Sequence, residues 1–388
     1  MSSAELAAQV EELRALGVRR VHSYAWRDLD DPEAGGSEVH ADEILRRWAA
    51  AGLDIVHRTS TFDTPRTLQR NGYRIVQHGG RAGVLLRTPF EGVWRDRHTA
   101  DAVIDIWNGL PWFSPLWFRG PRVTWLHHVH GKMWHEYFPR PIALAGHFTE
   151  SRIAPRLYRH HPVVTLAESG REELVELGFR REGIDVIEPG LSAMFRPDPA
   201  RRSPTPLVVA VGRLALMKRH LTIVEAVAAA RREIPDLRLE IVGDGPDRGQ
   251  LEQGIAALGA GEWCTLRGRV DDDALVEAYQ RAWLFATASQ SEGWGMVITE
   301  AAACGTPSVA TRIVGHTDAV REGQSGLLVD RGDEFASSFV TLLRDPEQLE
   351  KLRRGALEYA ASLSWDRAAE RHLEVVLRQA RAKHRAAS

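Results

Sequence analysis

Ser289-Gln-Ser-Glu-Gly-Trp-Gly-Met-Val-Ile-Thr-Glu300, running on to Gly305-Thr-Pro307, is the stretch on which the reading of this chain turns. It follows the apolar run Ala282 to Ala288, the length of a buried strand, and passes into a small-residue helical pattern that stops at Gly305-Thr-Pro307. The expected order is strand, glycine loop, helix. Glu292 falls in the loop and Glu300 in the helix, so two carboxylates can face one ligand from different heights. Gly293 and Gly295 let backbone N–H groups approach that ligand at a helix N-terminus, whose partial positive charge suits phosphate or hydroxyl oxygens. Such a site suits a polyhydroxylated, phosphorylated ligand, and a nucleotide sugar is one.

A chain of 388 residues exceeds the usual single-domain size, which predicts two domains. A net charge of -2 argues against nucleic acid or another bulk polyanion as the main partner. Cys264 and Cys304 are too few for a disulfide framework or a thiolate metal site, which fits a reducing cytoplasm. The sequence has no apolar run long enough to span a bilayer, and its first residues carry charge where a secretion signal is apolar. A soluble cytoplasmic protein is expected.

Working back to the N-terminus, residues 3 to 17 have the spacing of a short amphipathic helix, and Val18 to Trp26 reads as a strand. The polar turn after it ends in Gly35-Gly36, with Ser37 as the expected N-cap of a helix from Glu38 to Ala50. Strand, glycine pair and helix form a unit that can approach phosphate, or an ordinary strand-to-helix turn. Further strands are expected at Leu53 to Arg58, Tyr73 to Gln77, Gly83 to Leu86, Ala102 to Ile106 and Arg122 to Leu126. That alternation predicts an open parallel sheet with helices on both faces, and ligands beyond the carboxyl ends of its strands.

Two loops after strands stand out. Asn108 to Phe118 is rich in proline and aromatics and is expected to be irregular, with Trp112 and Trp117 exposed or half-buried. They read as core and interdomain packing, or as an acceptor platform stacking on sugar rings, or as a membrane-interface contact. The second loop, Trp125-Leu-His-His-Val-His-Gly-Lys132, holds His127, His128 and His130. No acidic residue lies near them until Glu136, and neighbours 127 and 128 point to opposite sides if the strand persists, which disfavours metal. What stays open is a histidine hydrogen-bonding a sugar hydroxyl or a satisfied structural histidine.

Phe195 to Pro206 carries four prolines and three arginines, which marks a linker. The expected organisation is an acceptor-side domain at 1–197, a linker at 198–206, a nucleotide-sugar domain at 207–363, and a helix at 364–388 that packs on its own domain or crosses back to the first. The second sheet starts with Leu207 to Val211, followed by Gly212-Arg-Leu-Ala-Leu-Met-Lys218. Arg213 and Lys218 on that loop can hold a diphosphate from two directions, the guanidinium as a planar fork and the ammonium as a point charge. The turn from Gly268 through Val270 can offer backbone groups to a nucleotide base, and Asp271-Asp-Asp273 reads as the cap and first turn of a helix and not as a metal site.

Glu292 and Glu300 with seven residues between them, Gly212-Arg213 with Lys218, and Gly243-Asp-Gly-Pro246 together resemble the retaining glycosyltransferases of the GT4 family. Gly35-Gly36 is similar to that family's first-domain glycine loop, and His127 falls where it places a histidine. The resemblance implies the GT-B fold: two Rossmann-like, doubly wound α/β domains facing each other across a cleft and closing in turnover. It implies that Arg213 and Lys218 hold the donor diphosphate and that Glu300 binds ribose. Glu292, with Gly293, Trp294, Gly295, Met296 and Val297, would contact donor sugar and phosphate. Gly35 and Gly36 would close on the diphosphate, and His127 would contact the donor sugar. Three positions depart from the family pattern: Trp294 for phenylalanine, Arg219 where glycine is common, and His316 after Gly315 where a glycine pair is usual.

The expected activity is retaining, metal-independent transfer of a sugar from a nucleotide-diphosphate sugar to a hydroxyl of a glycan, glycolipid or small molecule. UDP is the first choice of carrier and GDP the second, with no cofactor. His128, Trp112 and Trp117 are the acceptor-side candidates. A nucleotide-sugar epimerase, a sugar phosphorylase and a non-catalytic nucleotide-sugar sensor are the alternatives.

Overall fold

Alternation of apolar runs with amphipathic ones produces two sheets whose strands, one edge strand excepted, run parallel. The computed structural model describes residues 3–61, 63–80, 99–131 and 133–387. The strand expected at 83–86 lies outside the described residues. The chain divides into two compact units, Met1–Gly190 with Ser364–Ser388, and Leu191–Leu363.

In the first unit, helix α1 (Ala4–Ala15) precedes β1 (Arg20–Tyr24), α2 (Gly36–Ala50) and β2 (Asp54–Thr59). Then come β3 (Arg66–Arg70), β4 (Tyr73–Gln77), β5 (Ala102–Trp107), the single turn α3 (Ser114–Trp117) and β6 (Arg122–Leu126). Short helices α4 (Met133–Tyr137), α5 (Arg140–Phe148) and α6 (Ala154–Tyr158) lead to β7 (Val163–Thr165), α7 (Glu168–Glu176) and β8 (Ile184–Val186). The sheet order is β3-β4-β2-β1-β5-β6-β7-β8, parallel except for β3 against β4. Strand order reverses between β1 and β5, so the loops that follow these two flank the crevice where doubly wound sheets take ligands.

Strand β3 was not expected. It is joined to β4 by Asn71-Gly72, both at positive φ (51° and 87°), the backbone of a two-residue hairpin turn. Its face is polar, and Arg66, Arg70 and Gln77 from this hairpin grip Asp28 and Asp30 in the loop after β1, with Gln77 Nε2 2.9 Å from Asp28 Oδ2.

The second unit holds β9 (Leu207–Val211), α8 (His220–Ala230), β10 (Arg238–Val242), α9 (Arg248–Ala257), β11 (Cys264–Gly268) and α10 (Asp272–Arg281). It continues with β12 (Leu284–Thr287), α11 (Met296–Ala303), β13 (Ser308–Thr311), α12 (His316–Ala319), β14 (Gly326–Val329), α13 (Glu334–Arg344) and α14 (Pro346–Ala361). All its strands are parallel in the order β11-β10-β9-β12-β13-β14, and the switch lies between β9 and β12. Val208, Ala210, Leu284 and Ala286 are fully buried between sheet and helices, as strands covered on both faces require. The Pro- and Arg-rich stretch is held to this unit: Trp283 Nε1 donates to Ser203 O at 2.9 Å, and Arg202 lies over the Trp283 ring.

The last helix, α15 (Trp365–Ala387), belongs to the first unit, where it packs on α1 and α2. Trp48 Nε1 of α2 donates to Ala369 O at 3.0 Å, and Arg381 pairs with Glu12 of α1.

Candidate active site

In the second unit the switch point brings together two loops that are 74 residues apart in sequence. One is Gly212 to Arg219 after β9, the other Ser289 to Gly295 after β12. Lys218 Nζ donates to Glu292 Oε1, and Gln290 N donates to Met217 O at 2.8 Å, so the loops are joined by an ion pair and a backbone bond. Ser289 Oγ also donates to Glu292 Oε1 at 2.9 Å, and Thr311 Oγ1 from the end of β13 donates to Ser289 O at 2.7 Å. Burial alone would push the Glu292 carboxyl up. The Lys218 ammonium, helped by His316 and the two hydrogen bonds, outweighs it and holds the group below the ordinary carboxylate range.

The backbone around this pair is shaped by glycine. Gly295, at φ 94°, caps α11, and Met296 and Val297 supply two of the helix's first amides, which have no partner within a helix. A Cβ on Gly315, at φ 83°, would lie 2.8 Å from Glu292 O and Trp294 N, so only glycine lets these loops touch. A Cβ on Gly243 would lie 1.9 Å from Gly212 O, which fixes the turn after β10 against the loop after β9. Arg213 is exposed on that loop, and its carbonyl accepts from His220 Nε2 at 3.3 Å.

The three departures have physical accounts. Arg219 adopts the left-handed conformation, φ 51° and ψ 41°, between a 3-10 turn and α8, a backbone that glycine takes without strain. Trp294 is buried and packs inside the loop. His316 is fully buried behind the loop: its Nδ1 donates to Thr311 O at 3.0 Å, and burial holds its pKa down.

Glu300 lies on α11 and accepts from the Tyr279 hydroxyl at 2.9 Å. Burial raises its pKa to about 7; the Tyr279 bond lowers it and Asp272 raises it further. Val270 packs, like Val211, against the cluster of Leu207, Val209, Val242, Ala278 and Ala282, and Asp271 caps α10 by accepting from Ala274 N at 2.9 Å, as read from the sequence. The functional neighbours that sequence reasoning missed here are Ser289, Thr311 and Tyr279. Each is a small or aromatic hydroxyl with no motif of its own.

In the first unit, the N-cap of α2 is Gly35 and not Ser37: the helix starts two residues earlier than expected because Glu38 reaches back to accept from Gly35 N at 2.8 Å. Arg27 pairs with Glu33 and Glu38, at 3.3 and 3.4 Å. A small cavity at this switch point is bounded by Trp26, Arg27, Glu38 and Asn108. Strand β6 ends at Leu126, before the two histidines, and their surroundings differ. His127 is 5% exposed with Nε2 3.1 Å from His40 Nδ1, whereas His128 is half-buried and stacked on His130 with ring centroids 4.8 Å apart.

Trp112 and Trp117 correct the expectation of exposed or half-buried rings. They are 2% and 7% exposed. Their indole N–H groups donate to Ile106 O and Trp112 O, at 3.0 and 2.9 Å, and both rings pack on Tyr24. Their loop is ordered by Asp105, a buried carboxylate that accepts from Ser114 Oγ at 2.7 Å, from Trp112 N and from the Tyr158 hydroxyl. A ring so placed offers no face to a sugar. Among the described residues no group of three or more His, Cys, Asp and Glu side chains could hold a metal ion, and no helix is long and apolar enough to cross a membrane.

Residues 193–359, which include Arg213, Lys218, Glu292 and Glu300, match the family described as Glycosyl transferases group 1. Over 403 residues the chain is 36% identical to the D-inositol 3-phosphate glycosyltransferase of Acidothermus cellulolyticus, covering 92% of this chain and 88% of the relative. The chain belongs to the group 1 glycosyl transferases. It is therefore an enzyme that transfers sugars, and the resemblance to the GT4 family read from its motifs holds. A second relative of this group, the D-inositol 3-phosphate glycosyltransferase of Thermobispora bispora, is 28% identical over 440 residues and 98% of both chains. Two solved structures share the GT-B fold: sucrose-phosphate synthase from Thermosynechococcus elongatus and HepE from Anabaena, the latter in complex with UDP and glucose. Their TM-scores are 0.77 and 0.73, at 21% and 18% identity, over 95% and 92% of this chain and 100% and 99% of theirs.

Proposed function

We propose that this glycosyl transferase moves a sugar from a nucleotide-diphosphate sugar, UDP before GDP, to a hydroxyl acceptor, with retention at the anomeric carbon and no metal. The observation that carries the reading is the Lys218–Glu292 pair at the switch point of the second sheet, beside exposed Arg213 and the start of α11. Breaking the bond between the anomeric carbon and phosphate oxygen puts negative charge on the departing diphosphate. Two fixed cations and helix-end amides stabilise that charge as it forms. The acceptor oxygen bonds to the anomeric carbon on the face the diphosphate leaves, and a phosphate oxygen takes the hydroxyl proton.

Glu300 is assigned to the ribose hydroxyls, and Glu292 to the transferred sugar, with Lys218 keeping it ionised. On the resemblance, Gly35, Gly36 and His127 are assigned to substrate binding. A cyclic polyol phosphate of the kind that names the relatives is the first acceptor to assay. Two free, buried cysteines support a cytoplasmic setting.

A thermal-shift series with UDP- and GDP-sugars tests the donor, since a ligand of the native state raises its stability in proportion to affinity and concentration. A rise with UDP-sugars is expected; no rise with either set would refute the assignment. Product analysis by NMR then reads the anomer, and conversion of the donor without any acceptor would favour an epimerase.

A further inference from the structure

Three histidines are sealed together in the first unit: His40 of α2, His127 after β6 and His372 of α15, at 0%, 5% and 0% exposure. The His40 ring lies 4.9 Å from that of His127 and 5.0 Å from that of His372, with Trp125 and Trp365 closing the sides. Such a cluster sets a proton-counting problem. Burial holds all three pKa values well below neutrality, to about 3 for His127 and His372, so each ring is neutral and has one N–H and one bare nitrogen. Among the described residues no carboxylate acts on the three rings; apart from one another, the titratable and charged neighbours that do are His128, on His127, and Arg371, on His372.

The count starts from α15. His372 Nδ1 is 2.8 Å from Ala368 O, and a carbonyl only accepts, so the proton sits on Nδ1 and Nε2 is bare. One proton is shared out between His40 Nδ1 and His127 Nε2, which are 3.1 Å apart. Were His40 the donor, its buried Nε2 would be bare on a ring that adjoins His372 at 5.0 Å between centroids, whose buried Nε2 is bare too, and neither nitrogen has a hydrogen-bond partner. With His127 as the donor, His40 carries its proton on Nε2, so the adjoining rings of His40 and His372 present one N–H and one lone pair, and His127 Nδ1 is left without a buried, unpartnered N–H. That arrangement costs less in a low dielectric.

We propose that His40 is a positioning residue that fixes His127 as the Nε2–H tautomer, leaving its Nδ1 bare to accept a hydrogen bond from a substrate hydroxyl. His127 Nδ1 is buried and has no protein partner, which is what a group reserved for a ligand hydroxyl looks like. The proposal rests on the assignment of His127 to substrate. It also gives α15 a part in the chemistry, because Ala368 and His372 set the direction of the chain of protons from the far side.

The test starts from the wild-type protein. In the full-length protein carrying 15N-histidine, a long-range 1H–15N correlation separates protonated from bare ring nitrogens, and His127 is assigned by its loss in His127→Gln. We expect Nε2 protonated and Nδ1 bare, unchanged from pH 5 to 8. A protonated Nδ1 on His127 would overturn the proposal while leaving the His127 substrate contact standing. In turnover, His40→Leu should lower kcat about tenfold with the donor KM nearly unchanged. His40→Asn, whose amide oxygen can take the place of Nδ1, should recover most of it. Equal kcat in all three folded proteins would reduce His40 to packing and overturn the positioning role. A wild-type rate in His127→Gln would remove the His127 assignment and the proposal together, and would leave the Arg213–Lys218 clamp untouched.

Discussion

Glu300 gives the sharpest handle on donor binding, because its carboxyl, raised by burial to about 7, titrates where the enzyme is assayed. Ribose hydroxyls donate, and only the ionised carboxylate accepts from two of them at once. If binding requires the ionised form, affinity scales with its fraction: about one tenth at pH 6 and about nine tenths at pH 8 for a group at about 7. The Kd of a UDP-sugar should then fall about tenfold across this range, equal to about 1.4 kcal/mol. Calorimetric titration reads it directly. The donor's diphosphate diester does not titrate there, burial holds His220 at about 4, below this range, and burial also shifts His316 downward. Glu173 of the first unit is also raised to about 7 by burial, so Glu173→Gln is the control and should keep the slope. Glu300→Gln should lose it. Stability carries the matching sign: between about 4.5 and about 7 the carboxyl is ionised in the unfolded chain but still protonated in the folded one, so stability falls as pH rises through that range and levels off above it. Glu300→Gln should therefore gain in Tm relative to wild type as pH rises from 5 to 8. A flat wild-type affinity, or a slope that survives in Glu300→Gln, would refute this account.

Other expectations follow from the contacts around the site. Gly315→Ala must place a methyl 2.8 Å from the Glu292 and Trp294 backbone at φ 83°, which should cost about 1–3 kcal/mol in denaturant unfolding and weaken UDP binding. Glu292→Gln leaves Lys218 without its anion, so UDP, which supplies charge, should bind at least as tightly while kcat falls. Trp112→Phe should leave the acceptor KM unchanged, whereas Trp112→Ala should lose about 3–5 kcal/mol of stability, since this ring is core. A raised acceptor KM in the folded Phe variant would revive the stacking reading.

The parts of this protein legible in its sequence are those written in local pattern. Apolar runs followed by glycine turns gave the parallel strands and their loops, and Asp271 was readable as a cap because capping is local. Strand β3 escaped because Arg66-Thr-Leu-Gln-Arg70 buries no apolar face; its partner in the loop after β1 is ionic, and the Asn71-Gly72 turn was the overlooked sign. The start of α2 was misplaced because glycine capped by a later glutamate looks like loop until Glu38 is seen to reach back. Trp112 and Trp117 were placed too far out because Asp105, which folds their loop inward, is an unremarkable residue within an apolar strand. Lys218 meeting Glu292, and His372 meeting His40, are contacts across many elements. No spacing rule reaches them; strand order does, and strand order is what a single sequence leaves open.

The central claim is that Arg213 and Lys218 take up the charge of the leaving diphosphate. The most direct measurement is the single-turnover rate of sugar transfer at saturating UDP-sugar for Arg213→Ala and Lys218→Ala, each shown to be folded by its unfolding transition. We expect each rate to fall about a hundredfold or more, the loss seen when one donor to a developing oxyanion is removed. Wild-type rates in both folded variants would contradict the account.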